Sequence, residues 1–319
     1  MAKLLITRPL PEAVLQAVDA VFDVDVRQET LPLKPNEMVT ALGRYDAILP
    51  TLGDPLSGEV IGQVSDAKCK ILANFGVGYN HIDVGAAQSA GMVVTNTPGA
   101  VTDATADIAM TLILMTCRRA GEGERAVRAG HWEGWHPTQF LGMHVTGKTI
   151  GIIGMGRIGK AIAKRAGLGF EMGVVFYNRS KVADFGVPAR QMESLAEVCA
   201  VADIVVLAVP ATPETHHLVN AELLGQMQAH SVLVNIARGD VIDEAALIEA
   251  LQAGQIAGAG LDVYEREPIV PEALKATENV TILPHLGTAA LEVRVDMGLM
   301  AVANLNAWVN GDAPPNPVG

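Results

Sequence analysis

Apolar residues along this chain are arranged in two ways. Some form short, nearly continuous runs such as DIVVLAV, and others recur every three or four positions in longer stretches such as RIGKAIAKRAGL. The first pattern is typical of strands buried on both faces of a parallel sheet, and the second of helices that pack one face against such a sheet. Their alternation predicts βαβ units and an α/β fold.

The first part of the chain is predicted to contain the strands KLLIT, YDAILPT, CKILANF and MVVTNT, with PEAVLQAVDAV and VGAAQSAG as intervening helices. A long helix is predicted to follow from near Val101 through VTDATADIAMTLILMTCRRAGEGERAVRAG. Thr102 or Asp103 would cap its N-terminus, and Gly130 would end it.

A second α/β series follows GKT, with predicted strands TIGIIG, GVVFYN, DIVVLAV, SVLVNIA, GAGLDVY and VTILPH. After Gly287 the pattern indicates another helix and a Pro-rich tail, DAPPNPVG. We therefore expect a nucleotide-binding lobe, residues 98–287, inserted into a second lobe formed by 1–97 and 288–319.

Composition narrows the class of protein. The chain has 319 residues, 50% hydrophobic and 4% aromatic, which favours α/β layers over an aromatic-rich all-β fold. A formal net charge of -12 argues against nucleic acid or anionic membranes as partners. The three cysteines form no CxxC pair, so neither disulfides nor a metal site is expected.

No apolar run approaches the roughly 20 residues that span a bilayer. The N-terminal stretch MAKLLITRPL leads directly into a predicted strand and lacks the pattern of a signal peptide. These features predict a cytoplasmic protein.

The run GIIGMGRIG has the context that a GxGxxG motif requires, since it follows a strand and opens a helix. In that setting Gly154 permits a tight turn, Gly156 lets the backbone approach a pyrophosphate, and Gly159 allows close packing of helix on strand. The pattern predicts a dinucleotide whose phosphates lie at the helix N-terminus.

The next predicted strand ends in NRS, where NAD-binding proteins commonly carry an acidic residue for the ribose hydroxyls. Asn178 would not repel a 2′-phosphate, Arg179 can pair with it, and Ser180 can donate a hydroxyl. Arg157 and Lys181 add positive potential. This favours NADP(H), with NAD(H) as a weaker substitute, over a solvated basic turn.

Three charged or titratable residues follow later strands, where open α/β sheets bind their ligands. A histidine such as His285 and a carboxylate such as Glu267 can form an acid–base pair, and Arg238 can clamp a substrate carboxylate. Taken singly, Arg238 also fits a surface ion pair, Glu267 a solvated turn and His285 a helix cap.

The motifs NFGVGYNHID, NTPGAVTDATADIAM, GKTIGIIGMGRIGKAIA, NIARGDVIDEAAL, GAGLDVYEREP and LPHLGTA occur in this order along essentially the whole chain. Together they resemble the D-isomer-specific 2-hydroxyacid dehydrogenase family, and within it the glyoxylate/hydroxypyruvate reductase group. The resemblance implies two Rossmann-like lobes, a doubly wound coenzyme domain inserted into a flavodoxin-like substrate domain. It also implies a homodimer formed through the long helix and following arm, about 101–140.

By position, the resemblance makes Arg238 the substrate-binding arginine, Glu267 its partner acid and His285 the general acid/base. It also matches two loops. Val77 and Gly78 match the loop whose backbone N–H groups hold the substrate carboxylate, and Leu52 matches a loop that faces the substrate. The substrate-binding residues that it implies are Leu52, Val77, Gly78 and Arg238.

For the cofactor, Thr105 and Asp262 match contacts on the nicotinamide side. Thr215 and residues 208–210 match the wall around the adenosine and phosphates. The expected cofactor-binding residues are Thr105, Gly154, Gly156, Arg157, Ile158, Gly159, Asn178, Arg179, Ser180, Ala208, Val209, Pro210, Thr215, Ile236, Ala237, Asp262, His285 and Gly287.

The sequence departs from many relatives at two places. Asn80 stands where they carry Asp, which leaves the carboxylate loop intact, and NRS resembles the NADP-preferring reductases. His216 and His217 lack a third metal ligand at suitable spacing. The pair Trp132 and Trp135 fits packing within the chain, an interfacial anchor, or a lid that reaches a partner subunit's site.

The function implied is NADPH-dependent reduction of glyoxylate or hydroxypyruvate, small 2-oxo acids, to glycolate or D-glycerate by hydride transfer. One alternative is a D-2-hydroxyacid dehydrogenase for a bulkier 2-oxo acid. Another, of a different class, is a dinucleotide-sensing protein like the transcriptional corepressors that resemble this family. The complete Arg238, Glu267 and His285 set and the lack of long added tails favour an enzyme.

Overall fold

A computed structural model describes residues 1–19 and 21–319. The chain divides into two compact units: unit 1 comprises residues 1–101 and 288–319, and unit 2 comprises 102–287. Each unit has its own parallel sheet with helices around it, which confirms the predicted fold class.

The strands are short, and most of their residues in unit 2 are buried. They are β1 (Ala2–Ile6), β2 (Phe22–Val26), β3 (Ala47–Leu49), β4 (Ile71–Ala73), β5 (Val93–Thr95), β6 (Thr149–Ile153), β7 (Gly173–Tyr177), β8 (Ala189–Gln191), β9 (Ile204–Leu207), β10 (Val232–Asn235), β11 (Gly258–Leu261) and β12 (Val280–Ile282).

The helices fall between the strands, apart from a last one near the C-terminus. They are α1 (Glu12–Asp19), α2 (Pro35–Arg44), α3 (Gly58–Ile61), α4 (Val84–Ser89), α5 (Thr102–Cys117), α6 (Ala120–Arg128), α7 (Arg157–Lys164), α8 (Leu195–Val201), α9 (Ala221–Leu224), α10 (Glu244–Gln252), α11 (Glu272–Ala276) and α12 (Leu291–Val309).

Unit 1 contains a five-stranded sheet in the order β2-β1-β3-β4-β5, with every neighbouring pair parallel. This is the flavodoxin-like order. At the β5 edge the end of the chain adds a short antiparallel contact, in which Thr95 pairs with Pro317 and the N–H of Val318 donates to the Val94 carbonyl at 2.9 Å.

Unit 2 contains a seven-stranded sheet in the order β12-β11-β10-β9-β6-β7-β8. The order reverses at β6, which pairs in parallel with both β7 and β9. In a doubly wound sheet this reversal opens a crevice at the carboxyl ends of the central strands, where ligands bind. Hydrophobic clusters on both faces bury β9, β10 and β11 completely, which is why their sequences read as continuous apolar runs.

The long helix predicted from Val101 to Gly130 is wrong, because the structure contains two helices there. Arg119, between α5 and α6, adopts a left-handed conformation with φ 53°. Its guanidinium donates to both carboxylate oxygens of Glu122, at 2.6 and 2.7 Å. The core-facing residues of α5 are buried whereas α6 has none, so no packing keeps the second segment in line with the first.

The strands β2 and β8 were missed from the sequence, as were the helices α2 and α3 of unit 1, and α8 to α11 of unit 2 were not individually predicted. In β2, FDVDV, aspartates alternate with apolar residues because the strand lies at a sheet edge, so it lacks the continuous apolar run of the central strands. The other edge strand, β8, has only three residues, ARQ, none fully buried.

None of the helices in the described part of the chain combines the length and apolar character needed to cross a bilayer. All three cysteines, Cys69, Cys117 and Cys199, are buried free thiols. Burial raises the pKa of each thiol to about 12, so they serve as apolar core residues.

Candidate active site

Most of the predicted site residues follow strands of the unit 2 sheet. Because the strands are parallel, the loops after β6, β7, β9, β10, β11 and β12 all lie along one edge of that sheet. Of the remaining predicted residues, Thr105 lies in the first turn of α5, and Leu52, Val77 and Gly78 belong to loops after β3 and β4 of unit 1.

The three motif glycines have distinct surroundings. Gly154 has φ +99°, and a Cβ there would lie 2.7 Å from the Ala208 carbonyl oxygen. A Cβ on Gly159 would lie 2.2 Å from the Gly154 carbonyl oxygen. At Gly156, by contrast, φ is -77° and a Cβ would meet no protein atom within 4 Å.

Packing of the chain itself therefore accounts for Gly154 and Gly159, whereas Gly156 borders open space. Gly156 is also the N-cap of α7 and supplies no side chain to the first N–H groups of that helix. Open space beside unsatisfied helix N–H groups fits the pyrophosphate of a dinucleotide.

The turn after β7 is held together by side-chain amides. Asn178 accepts the Met155 N–H through Oδ1 at 3.1 Å and donates through Nδ2 to the carbonyl and hydroxyl oxygens of Ser180, at 3.0 and 3.2 Å. Gln191, on β8, donates to the carbonyls of both Asn178 and Ser180 at 3.0 Å. Its Oε1 accepts the Val182 N–H at 3.1 Å, so Gln191 spans the whole turn.

Arg179, on this braced turn, is exposed, and its guanidinium makes no hydrogen bond or ion pair with the residues that the structure describes. It lies near Glu214 on the loop after β9. The pKa of Glu214 is lowered by hydrogen bonds from Thr212 and from its own backbone, with a further contribution from the charge of Arg179. Because β6 lies between β7 and β9 in the sheet, this turn and this loop flank the loop after β6 that carries Gly156.

The loop after β9 is closed by Thr215, whose hydroxyl donates to the Pro210 carbonyl at 2.8 Å and accepts the Thr212 N–H at 2.8 Å. This hydroxyl is thus committed to the loop and shapes the wall. Ile236 and Ala237, after β10, are buried, and the Ala237 N–H donates to Asn235 Oδ1 at 3.0 Å.

His285 and Glu267 are in direct contact, with 2.8 Å between His285 Nδ1 and Glu267 Oε2. The other oxygen of Glu267 accepts the Tyr264 N–H at 3.1 Å. Burial works to raise the pKa of Glu267, but the hydrogen bond to His285, the charges of His285 and Arg238, and the Tyr264 N–H together hold it below its ordinary value. Glu267 is therefore an ionised partner for the imidazole at neutral pH.

Asp262 holds the turn that carries His285, which has a left-handed backbone with φ 55°. Its carboxylate accepts the N–H of Leu286 at 2.6 Å and of Gly287 at 2.8 Å, and its carbonyl accepts the His285 N–H at 2.9 Å. Thr105 donates its hydroxyl to the Gly287 carbonyl at 3.2 Å. The residues assigned to the nicotinamide side thus surround the histidine turn.

Arg238 lies in the same neighbourhood. Burial lowers its pKa, while the charges of Glu267 and Asp240 act in the opposite direction. The adjacent Gly239 approaches the backbone of Tyr264 so closely that a Cβ would lie 1.8 Å from the Tyr264 carbonyl carbon. This approach brings the segment that carries Arg238 against the segment that carries Glu267.

Other predicted candidates have plainer surroundings. The rings of His216 and His217 stack with centroids 4.0 Å apart, and His217 Nε2 lies 3.5 Å from a Glu265 oxygen. Among the described residues, no group of three or more His, Cys, Asp or Glu side chains is placed to hold a metal ion. Trp132 and Trp135 are 51% and 81% exposed, so neither packs into the core of its own chain.

The glycine geometry separates two kinds of variant. Gly156→Ala adds a methyl group where the protein leaves space. We therefore expect an unchanged free energy of unfolding and an NADPH dissociation constant raised roughly tenfold or more. Gly159→Ala forces a Cβ onto the Gly154 carbonyl and should destabilise the fold by about 1–3 kcal/mol. Urea denaturation and NADPH fluorescence titration measure the two effects. Wild-type NADPH affinity in Gly156→Ala would show that the phosphates do not pass Gly156.

Comparison with known proteins adds family information to this geometry. Residues 110–287 match the model of the D-isomer specific 2-hydroxyacid dehydrogenase NAD binding domain. The glyoxylate reductases of Pyrococcus horikoshii and Thermococcus kodakarensis are 42% and 43% identical, over 99% of this chain and 95% and 96% of theirs.

Among solved structures, an NADPH-dependent glyoxylate/hydroxypyruvate reductase from Sinorhizobium meliloti, in complex with NADP and malonate, has a TM-score of 0.88 at 34% identity, covering 100% of this chain and 97% of its own. The resemblance drawn from the motifs is thereby confirmed. The chain belongs to the D-isomer specific 2-hydroxyacid dehydrogenase family, in its glyoxylate reductase group.

Proposed function

We propose that this protein reduces glyoxylate and hydroxypyruvate, to glycolate and D-glycerate, with NADPH as the preferred reductant. The observation that carries the proposal is the 2.8 Å contact between His285 and an ionised Glu267 beside Arg238, at the carboxyl edge of a doubly wound sheet. The names of the similar glyoxylate reductases support the same substrate class.

Each residue of the proposed site has a separate role in proton transfer or substrate binding. Since Nδ1 of His285 is engaged by Glu267, Nε2 is the ring nitrogen left to donate a proton to the substrate carbonyl oxygen. Glu267 orients the ring through this contact. Arg238 holds the substrate carboxylate. When bound, the reduced nicotinamide supplies the hydride.

The preference for NADPH is supported by the turn after β7. Asn178 brings no negative charge there, and its amide is occupied in bracing the turn. Arg179 is exposed and uncommitted among the described residues, so it can pair with a 2′-phosphate without breaking another contact. Ser180 adds a hydroxyl next to it.

A homodimer is supported by the segment that follows α5. The helix α6 has no buried residue, and the arm after it exposes Trp132, Trp135 and Leu141 at 51%, 81% and 66%. Large apolar side chains exposed together are typical of a surface covered by another protein. We assign this surface, within about 101–140, to a second copy of the chain.

The experiment that tests the function is a steady-state panel of glyoxylate, hydroxypyruvate, pyruvate and phenylpyruvate, each with NADPH and NADH. We expect the highest kcat/KM with glyoxylate or hydroxypyruvate and NADPH. A preference for phenylpyruvate would indicate the dehydrogenase for bulkier 2-oxo acids. Dinucleotide binding without turnover of any substrate would indicate the corepressor-like class.

His285→Ala should reduce kcat by at least about a hundredfold, because general acid catalysis typically contributes that much or more. NADPH titration should show that the variant still binds the cofactor, which separates lost chemistry from lost folding. His230→Ala is the matched control, since His230 pairs with Asp203 before β10, away from the carboxyl edge. Near-normal turnover in His285→Ala would disprove the catalytic assignment.

Arg179→Ala should raise KM for NADPH roughly tenfold or more and leave KM for NADH nearly unchanged, because only NADPH has the 2′-phosphate. Lys181→Ala, a change in a neighbouring exposed cation, is the control for general positive potential. Equal effects of Arg179→Ala on both cofactors would make Arg179 a solvated turn residue.

The dimer predicts a solution mass of twice the 33.5 kDa chain, measured by sedimentation equilibrium. Replacing both Trp132 and Trp135 with Ser should weaken association, because large aromatic side chains often dominate the energy of an interface. A monomer at micromolar concentration would contradict this assembly.

A further inference from the structure

The loop after β4 has an unusual hydrogen-bond arrangement. The side-chain Nδ2 of Asn74 donates to the carbonyls of Gly76 and Gly78, both at 3.0 Å. The side-chain Nδ2 of Asn96 donates to the intervening carbonyl, of Val77, at 2.9 Å. Three successive carbonyls are thus held by two asparagine amides.

Two N–H groups of the same loop, those of Val77 and Gly78, are left available. No acceptor within the described part of the chain takes a hydrogen bond from the N–H of Val77 or Gly78, and both residues are partly exposed. Because the N–H and C=O of one peptide unit point in opposite directions, fixing the carbonyls fixes the directions of these N–H groups. Successive backbone N–H groups presented in this way favour an anion such as a carboxylate.

Asn96 is itself held by the end of the chain. Its N–H donates to the Asn316 carbonyl at 3.1 Å, and its carbonyl accepts from Asn304 Nδ2 at 3.3 Å. Asn304, on α12, is fully buried, and its Oδ1 accepts both the backbone and the side-chain N–H of Asn316, at 3.0 and 3.3 Å. The C-terminal segment therefore fixes the backbone from which the Asn96 amide reaches Val77.

We infer that Asn96 is a positioning residue for the substrate carboxylate, and that the C-terminal segment, through Asn304 and Asn316, keeps it in place. The inference deepens the proposed function and rests on it for the identity of the carboxylate. Asn96 acts through the peptide unit between Val77 and Gly78 and is separate from the catalytic residues of unit 2.

The physical reason is the cost of the wrong peptide orientation. Without the Asn96 donor, the buried side of the Val77 carbonyl has no partner, so the peptide unit gains by rotating that carbonyl toward solvent. Rotation would place a carbonyl oxygen where an N–H had faced the substrate, and the oxygen would repel a carboxylate. The loss should therefore appear in substrate binding far more than in the chemical step.

Asn96→Leu removes the donor at similar side-chain volume, and Asn36→Leu, on the exposed face of α2, is the matched control. For Asn96→Leu we expect KM for glyoxylate and the inhibition constant of oxalate, an unreactive carboxylate, to rise together roughly tenfold. The kcat should stay within about twofold, and the NADPH dissociation constant should not change. The control should match the wild type in all four.

A deletion of residues 316–319 tests whether the C-terminal segment keeps Asn96 in place, and it leaves the loop after β4 unchanged. This variant also tests the inference if Asn96→Leu does not fold. It should raise KM for glyoxylate and the oxalate constant by several-fold. Unchanged KM and oxalate constants in a folded variant would overturn the inference. So would a parallel loss of kcat, NADPH affinity and thermal stability, since this indicates a general structural role.

Calorimetry of oxalate binding to the NADPH complex distinguishes failure of this inference from failure of the proposed function. If the wild type reduces no 2-oxo acid but binds oxalate, and Asn96→Leu weakens that binding, the positioning role stands and the proposed activity falls. If the wild type reduces glyoxylate and oxalate binds both proteins equally, the activity stands and the positioning role falls.

Discussion

The geometry of the proposed catalytic site depends on the buried carboxylate of Asp262. Its two oxygens accept the N–H groups of Leu286 and Gly287, and this fixes the turn in which His285 takes a left-handed backbone conformation. Such a conformation costs a non-glycine residue of order 1–3 kcal/mol, so it persists only where its surroundings enforce it. Burial raises the pKa of Asp262 even though both N–H groups favour the ionised form, a further sign that hydrogen bonding in this turn is retained against a desolvation cost. The direction of the imidazole, and hence its contact with Glu267, follows from this carboxylate.

The same edge of the sheet separates two tasks. On the β6 and β7 side, backbone N–H groups and an exposed arginine suit a dinucleotide. Binding there requires no side chain to gain or lose a proton. On the β10, β11 and β12 side, burial and mutual charge shift the pKa values of Arg238 and Glu267, and His285 contacts Glu267 directly. Shifted pKa values concentrated on one side of β6, where the strand order reverses, are typical of a proton-transfer site. The turn after β7 is thus separate from the proposed catalytic residues, which follow β10, β11 and β12.

The sequence was sufficient for the fold class and for the loops that carry the site, because buried parallel strands have continuous apolar runs and the glycine motif has a strict local context. It was insufficient for edge elements and for contacts made across loops. Gln191 was missed because β8 is a three-residue edge strand without an apolar run, although it holds the whole turn around Asn178. The break at Arg119 was missed because no proline interrupts residues 101–130, although the chain changes there from the largely buried α5 to α6, which has no buried residue. The pairing of Asn96 with Asn316 joins residues far apart in sequence, so local patterns contain no sign of it.

The closing of the β5 edge by residues 316–318 has a consequence for the order of folding during synthesis. Unit 2 is continuous in sequence, so all its strands are available once residue 287 has left the ribosome. Unit 1 has a complete five-stranded sheet much earlier, yet its β5 edge and the backbone of Asn96 remain without their partners until residues 316–318 emerge. An open edge strand is a site for mispairing with other chains. The nascent chain therefore carries an unprotected edge throughout translation of the inserted unit, and residues 316–318 are the ones that cover it.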